Sequence, residues 1–248
     1  MDPPRFIGLK NYMDTLSRPI FQSSLVKTIV FTIFNVGIQF FLGFAVALLL
    51  DTRRHSRKFF LTLCILPMMI TPSIVGLIWK VLLHNEWGIA NYFIETIGLT
   101  KLGWLSDPTL TLVTIVLVEV WLHTPFTTLV LLAGLQAIPP EPYEAAKVDG
   151  ASGFQAFRYI TLPWLQPLIV IVLMFRIMFS LRAFDTIYSL FRSGGPGNEG
   201  MVLGVYLYER LRITWSMGEA AALSYIILFL TALFSMVFVV KLYRGEQQ

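Results

Sequence analysis

Residues 28–50, between Lys27 and Asp51, contain no Asp, Glu, Lys or Arg. About 20 apolar residues of helix cover the hydrocarbon core of a bilayer, so this stretch is long enough to cross one. Four more follow. Residues 59–79 are equally free of charge, residues 108–140 carry only Glu119, residues 159–175 are clean with apolar character continuing past Arg176 to about Phe184, and residues 220–240 are clean again. Barrel strands would alternate over about ten residues, and these runs do not. The expected fold is therefore all-α and integral to the membrane. It is a bundle of five transmembrane helices over about 25–50, 59–83, 109–136, 161–184 and 217–241, forming a single transmembrane domain over 25–248 behind a segment 1–24. The segment 201–208 is apolar but short, with Glu209, Arg210 and Arg212 behind it; it reads as a helix at the outer surface, not a crossing.

Composition agrees. Hydrophobic residues make up 56% and charged ones 14%, more apolar surface than a soluble domain of this length hides. The one cysteine, Cys64, cannot form an internal disulfide. A net charge of +4 is what basic cytoplasmic loops supply and does not point to nucleic acid. Arg53, Arg54, Arg57 and Lys58 put the loop 51–58 in the cytoplasm. Alternation then puts 84–107 and 185–216 outside, and 136–160 and the tail from Lys241 inside. The N-terminus of this chain falls outside. Residues 1–24 lack the hydrophobic core of a signal peptide, so a helix upstream of Met1 is expected.

The most informative stretch is the inner loop 139–163, PPEPYEAAKVDGASGFQAFRYITLP. Pro140 and Pro142 suit a helix start, and Glu141 and Glu144 sit where the helix dipole favours acids. Ala145 and Ala146 make a thin helical face that another backbone can approach. Gly150 breaks the helix, Ser152 can cap a second short one, and Pro163 opens the next span. A helix, a bend and a helix held beneath the membrane suit a docking element for a cytoplasmic partner.

This loop resembles the EAA motif of permease subunits of binding-protein-dependent ABC importers. Glu144, Ala145, Ala146, Gly150, Ile160, Leu162 and Pro163 stand at that motif's spacing, with Asp149 beside the glycine. FIGLKNY (6–12), ILPMMITPSIVGLIWKVLL (65–83), WLHTPFTTLVLLAGLQAIPPEPYEAAKVDGAS (121–152) and FDTIYSLFRSGGPGN (184–198) are similar to the carbohydrate subgroup, relatives of the maltose and glycerol-phosphate permeases. The resemblance implies a MetI-like permease fold without the family's first helix. It also implies a bacterial or archaeal inner-membrane location, a second homologous permease, two cytoplasmic ABC ATPase subunits and a periplasmic or lipid-anchored solute-binding protein. The solute is then a carbohydrate, polyol or sugar phosphate. ATP and Mg would be bound by the ATPase, because this chain has no GxxxxGK[ST] loop and needs no cofactor of its own. Gly195, Gly197 and Gly200 spell GxGxxG, but after a membrane helix and not a strand, so they read as a turn.

Ionisable groups inside a bilayer are costly and mark candidate pathways. Glu119 and His123 lie four apart on one helical face that Phe126 continues, Arg176 and Ser180 lie one turn apart in the next span, and Arg182 and Asp185 lie nearer its outer end. Planar polar groups beside an aromatic face suit a sugar, and the resemblance places sugar contacts at His123 and Phe126. The plainer readings are that Glu119 and Arg176 neutralise each other, that His123 bonds a neighbouring helix and that Phe126 only packs. An ion-gradient-driven transporter or channel would use Glu119 and His123 as a proton relay but leaves the inner loop unexplained.

Overall fold

The computed structural model describes residues 7–52 and 57–245, with side chains through Val240. Residues 53–56 of the basic loop, including Arg53 and Arg54, lie outside the described residues, as do Phe6 and the side chains of Lys241 and Arg244. In chain order the helices are α1 (Lys10–Ser17), α2 (Pro19–Thr52), α3 (Arg57–Ile65), α4 (Pro72–Leu82), α5 (Ile89–Thr96), α6 (Pro108–Gln136), α7 (Glu141–Val148), α8 (Gly153–Ala156), α9 (Leu162–Leu181), α10 (Asp185–Phe191), α11 (Leu203–Tyr208) and α12 (Met217–Gly245). No strand occurs among the described residues.

Prolines set several of these boundaries. Arg18 and Thr71 precede Pro19 and Pro72 and are extended, with ψ of 129° and 140°. A residue before proline is driven out of the helical region, so α2 and α4 each start afresh on the proline. As a result the stretch 59–83, expected as one continuous span, is two helices with a 3₁₀ turn Leu66–Met69 and a break at Ile70–Thr71 between them. Among the described residues, four helical segments are long and apolar enough to cross a membrane unbroken: Pro19–Thr52, Pro108–Gln136, Gly153–Leu181 and Met217–Val240. The third starts ten residues ahead of Pro163, because α8 runs through a π-helical turn, Phe157–Thr161, directly into α9. Pro163 therefore lies inside the helical segment and does not open it.

The described residues fall into two compact units. The first draws on Met1–Asn35, Thr71–Glu119 and Met178–Leu233. In it α4 lies so close to α10 that a Cβ on Gly76 would sit 2.6 Å from Ser189 Cβ and 2.7 Å from the Thr186 carbonyl oxygen. Small residues at such crossings let membrane helices approach closely. The hairpin between α4 and α6 turns on Asn91, which is buried. Its amide donates to the carbonyls of Asn85 (2.9 Å) and Leu102 (3.0 Å) and accepts from Leu102 N–H and Trp104 Nε1, both at 3.1 Å. Arg18 pairs with Glu219, which also faces Arg210 at 3.7 Å, and Lys27 donates to the Asn198 carbonyl at 2.8 Å. The segment 201–208 is helical from Leu203, and its apolar side chains are packed inside this unit: Met201, Val202, Leu203, Val205 and Tyr206 are all buried.

The second unit draws on Val36–Ile70, Val120–Ile177 and Phe234–Gln248. Its core is Ala47, Leu50, Leu131, Leu132, Leu135, Leu165 and Val172, from α2, α6 and α9. Glycines again mark the tightest contacts. A Cβ on Gly43 would lie 2.7 Å from Thr127 Cβ, and one on Gly134 would lie 2.3 Å from Leu168 Cδ1.

Candidate functional site

The loop after α6 folds as its residues dictate. α7 starts on Glu141 and Pro142 with Glu144 also in its first turn. Gly150 ends it at φ +77°, a conformation that side chains resist, and a Cβ there would touch nothing within 4 Å. Ser152 then caps α8: its hydroxyl accepts from Gln155 N–H, and the Gln155 side chain accepts from Ser152 N–H at 2.7 Å. This is a capping box, which satisfies two orphan donors at once. The motif residues face outward: Glu144, Ala145, Asp149, Gly150, Leu162 and Pro163 are exposed, Ala146 and Ile160 half-buried. α7 buries none of its residues. Apolar side chains stand out with them, Val148 at 87% exposure, Phe154 at 71% and Tyr159 at 70%. The Tyr143 hydroxyl ties the loop back, meeting Thr161 Oγ1 at 2.8 Å.

The expected pathway residues divide between the two units. In the second, Arg176 is buried and its Nε donates to Gln39 Oε1 at 2.6 Å. Phe126 is half-buried and meets Phe175 edge-on, ring centroids 6.4 Å apart. His123, half-buried, sits one turn before Phe126 on α6. In the first unit Glu119 is buried. Ser180 is also buried and accepts from Asn35 Nδ2 (3.2 Å) while facing Thr32 Oγ1 (3.3 Å). Arg182 is exposed, and Asp185 is exposed at the first position of α10.

Two features went unread in the sequence. Thr28, Thr32, Asn35 and Gln39 are all buried and recur at helical spacing on one face of α2. Thr28 accepts from Leu203 N–H at 2.9 Å, so this polar stripe engages α11 as well as Ser180 in the first unit, and Arg176 in the second. A count of charges passes over such a stripe; a search for polar residues at a period of 3.6 finds it. The second feature is a cluster of rings in the first unit, Phe184, Tyr188 and Tyr208, with centroids 4.6–5.3 Å apart. The hydrogen bond between the two tyrosines, helped by burial, holds the Tyr188 hydroxyl above its ordinary range. No sequence spacing announces this cluster, since its members come from two helices joined by a long turn.

Comparison with known proteins places this geometry. Residues 39–244 match the family described as binding-protein-dependent transport system inner membrane component. The chain belongs to that family. A probable ABC transporter permease protein of Sinorhizobium fredii is 38% identical over 240 residues, 97% of this chain and 77% of the relative. The trehalose/maltose transport system permease protein of Thermococcus litoralis is 35% identical over 227 residues, 91% of this chain and 77% of the relative. In fold, the permease is similar to a chain of a bacterial ABC transporter involved in import of the acidic polysaccharide alginate. That match has a TM-score of 0.87 at 24% identity and covers 96% of this chain and 84% of the other. The permease is thus an all-helical inner-membrane transport component of the MetI-like type, as its sequence led one to expect. The ion-gradient alternative finds no support in these likenesses.

Proposed function

We propose that this permease moves a carbohydrate across the inner membrane and is driven by a separate ATPase that grips the loop 141–156. The observation that carries the reading is the ordered, outward-facing helix–bend–helix with Val148, Phe154 and Tyr159 exposed. A rigid cytoplasmic element that presents apolar side chains to water is built to be covered, and hot spots of association are such side chains entering pockets. The ATPase holds ATP and Mg. Two ATPase subunits, a second homologous permease and an extracytoplasmic solute-binding protein complete the machine. The N-terminus of this chain lies outside and its C-terminus inside. Glu144, Ala145, Ala146, Asp149, Gly150, Ile160, Leu162 and Pro163 shape the docked surface. The solute passes Glu119, His123, Phe126, Arg176, Ser180 and Asp185. The carbohydrate class is supported by the Thermococcus litoralis relative, whose name specifies trehalose and maltose.

The test is co-purification of the ATPase with Val148→Glu and Phe154→Glu, exposed positions where the new charge leaves the fold alone. The proposal expects at least a ten-fold loss of bound ATPase in each. Retention at the wild-type level in both overturns it. Uptake of trehalose, maltose and longer oligosaccharides by proteoliposomes then tests the solute class.

A further inference from the structure

We propose that Tyr143 and Thr161 form a brace that makes the cytoplasmic loop and α9 move as one body, an inference that rests on the docking reading above. α7 has eight residues and buries none of them; helices that short are unstable alone in water. Along the chain, its link to α9 passes through Gly150, which sits at φ +77° with open space around it. The turn at that glycine is closed by backbone hydrogen bonds, Ala151 N–H to the Ala146 carbonyl at 2.9 Å and Gly150 N–H to the Lys147 carbonyl at 3.2 Å, both local to the end of α7. The Tyr143–Thr161 hydrogen bond, 2.8 Å long, bridges 18 residues and bypasses the glycine.

The far side of the brace is stiff. Thr161 is buried at 5% exposure and ends the π-helical turn Phe157–Thr161, in which Leu162 N–H donates to the Phe157 carbonyl five residues back. Such wide turns are rare and cluster at functional places. This one leads without interruption into α9. It also carries Phe157, whose ring meets Phe44 on α2 with centroids 5.9 Å apart, and Phe44 meets Phe40 at the same distance. Motion delivered to Thr161 therefore reaches α9 along the backbone and α2 through the tilted contact of Phe157 with Phe44. Tyr143 and Thr161 are positioning residues: they hold the docked helix against the spans.

The test is hydrogen exchange on the assembled importer, permease with its companion permease and ATPase in nanodiscs, before and after trapping with ATP and vanadate. Wild type should show a change in exchange both at 141–149 and at 157–163. Tyr143→Phe and Thr161→Val should keep the response at 141–149 and reduce that at 157–163 by roughly three- to ten-fold, the weight of one hydrogen bond. Thr161→Ser, which keeps the hydroxyl, should restore it, and the double variant should be no worse than either single one. An undiminished response at 157–163 in Thr161→Val overturns the brace, even if Tyr143→Phe fails to assemble. So does a double variant in which the two losses multiply. A wild-type complex with no response at 141–149 instead fails the docking reading, and the brace falls with it.

Discussion

Exchanging Gln39 for Leu and Arg176 for Met, singly and together, measures the bond at the centre of the second unit's polar contact. Gln39 is fully buried, Arg176 is 4% exposed, and Nε and Oε1 lie 2.6 Å apart. In water-soluble proteins a hydrogen bond to a charged group contributes about 1.5–3 kcal/mol. Between membrane helices the measured average is about 0.6 kcal/mol with a maximum of about 1.7 kcal/mol, because unfolded helices in lipid find other partners. The short distance, the full charge and the burial put this pair near the upper end, at about 1.5 kcal/mol of coupling. Gln39→Leu alone should cost more than the coupling, about 2–3 kcal/mol, since the guanidinium stays buried with an acceptor removed. Arg176 has further interactions, which keep the arginine in place in that variant and make the cycle interpretable. Steric-trap unfolding of the four proteins in bicelles gives the coupling. A value under about 0.3 kcal/mol would show that the bond contributes nothing and that the polar stripe of α2 is incidental.

Other perturbations follow from the same contacts. Gly76→Ala places a methyl against the Thr186 backbone, which cannot swing aside; it should destabilise the protein by about 1–3 kcal/mol, read as a lower unfolding temperature in detergent. Gly150→Val meets only the backbone penalty at φ +77°, about 1–2 kcal/mol, while Gly150→Asn, better suited to that conformation, should lose markedly less in the same assay. Asn91→Leu removes four hydrogen bonds from a buried amide; limited proteolysis should then cut between Asn85 and Trp104 where the wild type resists. The raised Tyr188 means that the folded state favours the protonated phenol. Its contribution to stability is present below the ordinary tyrosine value of about 10 and lost as pH climbs through the raised one. Tyr208→Phe should bring the Tyr188 midpoint back down, as followed by carbon NMR of labelled tyrosine.

What could be read from residues alone was where charge is absent and where a helix cap belongs. The five apolar stretches stand out because a single Lys or Glu in lipid is costly, and the structure builds helices on all of them. The α7–Gly150–α8 loop was legible because acids, a glycine and a capping serine each have one favoured place. The break before Pro72 was written in the same alphabet, yet a hydropathy count runs straight across it. Two features carry no signature in the residue pattern. One is the π-helical turn, set by an i→i+5 backbone bond that does not depend on side-chain type; the other is the ring cluster of Phe184, Tyr188 and Tyr208, which depends on contacts between elements. The pathway residues were chosen by charge. That found Arg176 and Glu119 but missed Asn35 and Gln39, which are uncharged and fully buried.

The most direct measurement concerns Val148, the most exposed of the large apolar side chains in the loop. With Cys64, the chain's one cysteine, changed to serine, Val148→Cys offers a single thiol for maleimide labelling. Adding the ATPase should slow that labelling at least ten-fold if the loop is gripped. A labelling rate that is the same with and without the ATPase would contradict docking through this surface.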